Sequence, residues 1–160
     1  MKTHVNEQTD ASLLAILEDA ILESFGFVAL KDKNLQYLRC NWSFANLFKI
    51  TPDMIVGKTN FDLLPSEEAE EQTRADLKII ETGQKTEDHL EMQIDGNTYE
   101  ILRIKKPVIS YNGVVGLIIK NIDLTKERRL TRQLLEAKTV ALKASAQLLN
   151  DINKINWNFV

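Results

Sequence analysis

From His89 to Ile122 the chain alternates and turns in a pattern that leaves few folds open. Leu90, Met92 and Ile94 alternate with His89, Glu91 and Gln93, the period of two that a strand with one covered face requires. Asp95-Gly96 marks a tight turn before a second run, Thr98 to Ile109, and Asn112-Gly113 marks another before a third, Val114 to Ile122. Three consecutive antiparallel strands are predicted. Pro107 has no N–H to give to a ladder, so the middle strand should be irregular or end near it.

The third strand passes into a helix almost at once. Apolar residues crowd Ile118, Ile119 and Ile122; Asp123, Leu124 and Thr125 intervene, and a charged segment rich in helix formers follows. Either Asp123 or Thr125 can cap a helix running toward Asp151. Leu130, Leu134, Ala137, Ala141, Ala144 and Leu148 recur at alternating intervals of four and three, the spacing that keeps one seam against a partner helix. Leu135, Leu142 and Leu149 form a second stripe beside it. The dimer interface is expected at Leu134, Ala137, Ala141, Ala144 and Leu148; the plainer alternative is an amphipathic helix folded back on the sheet.

Upstream, Asp10 is placed to cap a helix carrying Leu13, Leu14, Ile16, Leu17, Ala20 and Ile21 at helical spacing, with Gly26 to stop it. Phe27 to Leu30 and Leu35 to Cys40 read as a hairpin around the polar turn Lys31, Asp32, Lys33, Asn34. Asn41 is a cap candidate for a helix presenting Phe44, Leu47 and Phe48, Thr51-Pro52 restarts a short helix, and Phe61 to Leu64 forms another turn. Pro65-Ser66 opens a longer helix with Glu67, Glu68, Glu70 and Glu71 near its positive end and Gly83 placed to terminate it.

A chain of 160 residues suits one domain with helical extensions. The division read here is an N-terminal amphipathic helix over 1–24, a domain over 25–122, a C-terminal helix over 123–152 and a tail over 153–160. A net charge of −3 argues against nucleic acid as the main partner. Lys126, Arg128, Arg129 and Arg132 are interrupted by Glu127, as on a solvated helix face. Cys40 is the single cysteine, so no intrachain disulfide exists and a reducing cytoplasm is expected. The longest apolar run, Val114 to Ile119, is far short of the roughly 20 residues of a membrane helix, and Met1 to Asp10 lacks the apolar core of a signal peptide.

In this order of elements the chain resembles the PAS sensory domain, and the local wording agrees. ALKDKNLQYLRCNWSFANLFKITPDMIVGKTNFDLLP, Ala29 to Pro65, is similar to the first half of that family. RADLKIIETGQ, Arg74 to Gln84, resembles its long helix, and IDGNTYEILRIKKPVISYNGVVGLIIKNIDLTKERR its last three strands and exit. The resemblance implies an α+β fold: a five-stranded antiparallel PAS-type sheet with helices on one face, plus an N-terminal amphipathic helix and a long C-terminal signalling helix. It also implies a family motif, Asp-x-Thr, at the junction of last strand and outgoing helix. Asp123 and Thr125 match it and are the expected transmission residues, for short polar side chains there can both cap the helix and bond nearby backbone.

PAS domains often hold a cofactor between sheet and helices. Haem commonly needs an axial histidine; His4 lies in the polar start, His89 on the polar face of a strand, and the helix from Ser66 to Thr82 has none. The family's flavin photosensors carry a cysteine in a short helix, whereas Cys40 sits at a strand end and Asn60-Phe61-Asp62 has no thiol. Haem and a cysteinyl-flavin are therefore disfavoured, and no His or Cys cluster suggests a metal. What remains is a small apolar ligand, or a filled core, with Phe44, Phe48, Phe61, Leu77, Leu102 and Ile119 as candidate pocket residues. Enzymatic function is not expected: no nucleophile elbow, phosphate loop or zinc-protease helix appears, and no phosphoacceptor histidine follows His89. The expectation is a cytoplasmic, homodimeric sensor module acting on a downstream kinase or other effector, with a ligand-free dimerisation adaptor as the alternative.

Overall fold

The computed structural model describes the backbone of residues 2–157 and the side chains of residues 10–155. The chain divides after Asp123 into two compact units.

The first unit is built on a five-stranded antiparallel sheet of β1 (Phe27–Asp32), β2 (Tyr37–Cys40), β3 (Thr86–Ile94), β4 (Asn97–Ser110) and β5 (Gly113–Asp123), in the order β2-β1-β5-β4-β3. The three strands read from the alternation are all present. Asp95 and Gly96 both take positive φ, 51° and 77°, as a two-residue turn matching the twist of its strands demands. Pro107 does not end β4. The ladder with β3 reaches only Lys105, so at Pro107 the strand has a neighbour on one side, and a register shift follows between Val108 and Ile109.

Two helical layers cover the sheet. On one face α1 (Lys2–Leu22) buries Ile21 with Val28, Leu30, Val108 and Val115, and Leu13, Leu14 and Leu17 pack on this cluster. The helix starts well before Asp10, which therefore lies inside it rather than capping it; the Asp10 carboxylate accepts from Asn112 Nδ2 at 3.3 Å. On the other face lie α2 (Trp42–Asn46), a 3-10 turn (Pro52–Met54), α3 (Asn60–Leu63) and α4 (Ser66–Thr82). Gly83 ends α4 in the left-handed region at φ 65°, its N–H bonded to Ile79 O at 2.9 Å.

Asn41 caps α2 as its type and position suggest, and does more. Its Oδ1 accepts from Phe44 N at 3.0 Å and Val28 N at 3.1 Å, while its Nδ2 donates to Ser24 O and Gly26 O at 2.9 and 2.8 Å. Every hydrogen-bonding position of this buried amide is taken.

The expected hairpin turn is displaced. β1 runs on through Asp32, Leu35 stands at φ 64° in the connection, and β2 begins at Tyr37. Lys31 is thus a strand residue with no solvent exposure, on the same face as Ala29.

The second unit is α5 (Thr125–Trp157), whose first turn is closed by Arg128 N donating to Leu124 O at 2.9 Å. It extends past 152, the predicted boundary, and takes in residues 153–157 of the predicted tail; the Trp157 side chain and Phe159 lie outside the described residues. No described helix is long and apolar enough to cross a membrane.

Candidate functional site

Three strands of the sheet supply the floor of a cavity. Register places Ala29 and Lys31 of β1 opposite Ile119 and Leu117 of β5, and Arg103 and Lys105 of β4 opposite Asn121 and Ile119. Since side chains alternate across a strand, Lys31, Leu117, Ile119, Asn121, Arg103 and Lys105 share the face turned toward α2, α3 and α4.

Burial of two lysines there requires an anion, and α4 provides it. Asp76, fully buried, accepts from Lys31 Nζ at 2.6 Å through one oxygen and from Lys105 Nζ at 2.5 Å through the other. Asn60 Oδ1 also accepts from Lys31 Nζ at 2.6 Å and from Tyr37 Oη at 3.1 Å, and the ammonium lies 4.4 Å from the centre of the Tyr37 ring. Asn60 Nδ2 donates to Thr73 Oγ1 and Asp76 Oδ2. Gln72 Oε1 accepts from Lys105 Nζ at 2.9 Å and Arg103 Nη1 at 3.0 Å, and Arg103 Nε donates to Asn121 Oδ1 at 3.0 Å.

Burial and ion pairing compete in this network. Burial pushes the Asp76 carboxyl up, but Lys31 and Lys105 outweigh it and hold the group below the ordinary carboxylate range. For Lys31 and Lys105 burial is the larger influence, offset only in part by Asp76, and both ammoniums fall below the usual lysine range. Burial likewise raises the Tyr37 phenol and lowers the Arg103 guanidinium. Removing both charges' hydration while leaving them paired is tolerable; removing one partner is not.

Above this floor is a cavity of about 200 Å³. Its apolar wall is made by Phe44, Leu47, Phe48, Leu64, Met92 and Ile119, with Phe44 and Phe48 stacked at a tilt, centroids 5.6 Å apart. Its polar wall includes Asp76, Gln72, Arg103, Lys105 and Asn121.

Of the pocket residues expected from sequence, Phe44, Phe48 and Ile119 line the cavity and are brought together there. Phe61 and Leu77 do not; they are 54% and 44% exposed, on the outward sides of α3 and α4. Leu102 does not either, because it alternates with Arg103 and Lys105 and so stands on the opposite face of β4. Cys40 is fully buried, and burial raises its thiol to about 11, an environment that suppresses the thiolate. His89 is exposed on β3. Asp123 is the last residue of β5 and Thr125 the first of α5. Within α5, Leu134, Ala137, Ala141, Ala144 and Leu148 are all exposed.

The polar floor escaped the sequence reading. Lys31 reads as a turn residue because Asp32, Lys33 and Asn34 follow it, while Asp76 and Lys105 stand 45 and 29 residues from their partners. One signal was present: β4 sets apolar Leu102 and Ile104 on one face and Arg103 and Lys105 on the other, a pattern indistinguishable locally from a solvated face.

A five-stranded antiparallel sheet in the order 2-1-5-4-3, with short helices and one longer helix enclosing a cavity on one face, defines a PAS-type domain. The family described as PAS fold matches residues 24–129, and the chain belongs to it. No curated protein matches the chain. Among solved structures, the PAS domain from Bordetella pertussis BvgS is 21% identical at a TM-score of 0.65, over 81% of this chain and 98% of that one. The phage VqmA–DPO complex is 20% identical at a TM-score of 0.67, over 81% and 61%. VqmA bound to DPO is 23% identical at 0.58, over 67% of this chain and 55% of that one, so this chain spans about half the VqmA chain. These likenesses show the fold.

Proposed function

We propose that the chain is a cytoplasmic, non-catalytic sensor module that dimerises through α5 and relays cavity occupancy along it, as the input part of a histidine kinase or similar signalling protein. The observation that carries this reading is the place of Asn121. It lines the cavity, and it stands two residues before Asp123, where β5 ends. A ligand that bonds differently to this end of β5 in two states biases the Asp123–Thr125 junction, and it does so only by its differential affinity for those states. Dimerisation draws support from the apolar stripe of α5, on which Leu134 and Leu148 are 72% and 63% exposed. The Vibrio cholerae VqmA described as a dimer and as a LuxR-type receptor with a DNA-binding mechanism is matched over 51% of its length; a DNA-binding effector is therefore the second reading for the output.

Native mass spectrometry on protein purified from its own host, followed by denaturation, tests the proposal. The expected result is a dimer carrying a small-molecule mass that disappears on denaturation, and a monomer for the double change Leu134→Asp, Leu148→Asp. A dimer with no added mass favours the ligand-free adaptor; a dimer that survives both substitutions removes the α5 seam as its interface.

A further inference from the structure

Glu68, Gln93 and the Lys49–Asp95 pair also line the cavity, and on its sheet floor the donors left with spare protons are Lys105, Arg103 and Asn121. Asp76 Oδ1 and Oδ2, Gln72 Oε1, Asn60 Oδ1 and Asn121 Oδ1 each accept at least one bond from a neighbouring side chain. The donors are not used up. Lys105 Nζ has three protons and two acceptors, Gln72 Oε1 and Asp76 Oδ1. Arg103 has five N–H bonds, of which Nε and Nη1 each have one acceptor. Asn121 must turn its oxygen toward Arg103 Nε, since arginine only donates, and its Nδ2 therefore points elsewhere; no described side chain accepts from it. Charge on the floor is cationic in balance: buried Lys31 and Lys105 pair with one buried carboxylate, Asp76, beside half-buried Arg103, which Glu68 and Asp88 face as well.

Size and surroundings narrow the occupant further. At about 200 Å³ the cavity is smaller than the roughly 300–1,000 Å³ of pockets for drug-sized molecules. The groove beside it, of about 810 Å³, shares Glu68, Gln72, Met92, Gln93, Arg103 and Lys105 with the cavity and is rimmed further by Glu71, Asp88 and Glu91, a fringe that repels multiply charged anions. Phe44 and Phe48 above the floor, with Ile119 on the floor beside Lys105, favour an apolar body.

Resting on the sensor reading above, we infer that the cavity takes a compact molecule with an apolar, preferably flat body and a single hydrogen-bond-accepting edge, held by Lys105, Arg103 and Asn121. That edge is either a monocarboxylate or the carbonyl of a neutral ring. A cationic or donor-edged molecule set against Lys105, Arg103 and Asn121 is disfavoured, because each of those donors would be left facing another donor or a positive charge.

Titration calorimetry and thermal shift with benzoate, 2-pyridone and benzylamine test the assignment. Benzoate or 2-pyridone should bind and raise the melting temperature, and benzylamine should not; benzoate alone identifies an anion site, and 2-pyridone alone a carbonyl site. Asn121→Asp preserves the acceptor for Arg103 Nε, so the fold is retained, yet it replaces a cavity donor by a negative acceptor. It should weaken benzoate roughly tenfold or more. Lys105→Met, which leaves Asp76 paired with Lys31, should do the same. Benzylamine binding as tightly as the other two, or Asn121→Asp leaving benzoate affinity unchanged, overturns the inference while the sensor reading stands. If no probe binds and no small molecule accompanies the protein from its host, both fail together.

Discussion

The two faces of the sheet solve burial in opposite ways, and β1 belongs to both. Val28 and Leu30 turn toward α1 into a cluster of purely apolar side chains, whereas Ala29 and Lys31 turn toward α4, where a lysine lies as deeply as any leucine in the molecule. The first face is held by area removed from water, a force that does not care which apolar atoms meet. The second is held by partners: Lys31 and Lys105 are tolerable inside only while Asp76 is present and bonded to them. A sheet can thus keep one face as support and reserve the other for chemistry, provided the charges there are assembled as a unit.

The largest expected effect comes from breaking that unit. Asp76→Ala should destabilise the domain by about 4 kcal/mol, since it strands two buried ammoniums; denaturant unfolding measures it. Asp76→Asn separates charge from shape and carries a pH signature. The folded carboxyl lies below its unfolded value near 3.9, so between the two values the unfolded chain binds more protons and stability rises with pH. The contribution is therefore complete above about pH 4 and lost as pH falls through the folded value, a slope that Asp76→Asn should remove. On the supporting face, Leu30→Ala should cost about 3 kcal/mol through lost transfer energy and the cavity left behind, with no comparable pH dependence. The smallest effect belongs to an ion pair that looks similar on paper. Lys49 and Asp95 meet at 2.8 Å at the cavity rim but are more than half exposed, so Lys49→Gln should change stability by less than about 0.5 kcal/mol. A large value there would dissolve the distinction between buried and exposed charge drawn here.

The same contrast governs what could be read from the chain. Strand periodicity, the Asp95-Gly96 turn, the Asn41 cap and the Gly83 stop are decided by residues within a few positions of one another, and each is where local rules put it. The supporting face follows too, because apolar alternation reports a covered surface. Phe44, Phe48 and Ile119 were legible as cavity residues on that logic. Lys31, Asp76 and Lys105 were not, since a buried lysine differs from a solvated one only by its partner, and these partners meet through the strand order β1-β5-β4. Phe61 and Leu77 mislead for the complementary reason: an apolar side chain on a short helix or a helix edge need not face inward.

Asn41 has a consequence for how the domain comes apart. One amide ties the chain leaving α1, at Ser24 and Gly26, to Val28 at the root of β1 and to Phe44 at the start of α2. Turning this one amide away releases all four groups together, which couples the opening of the end of α1, the root of β1 and the start of α2. In hydrogen exchange the Val28 and Phe44 amides should share one opening free energy.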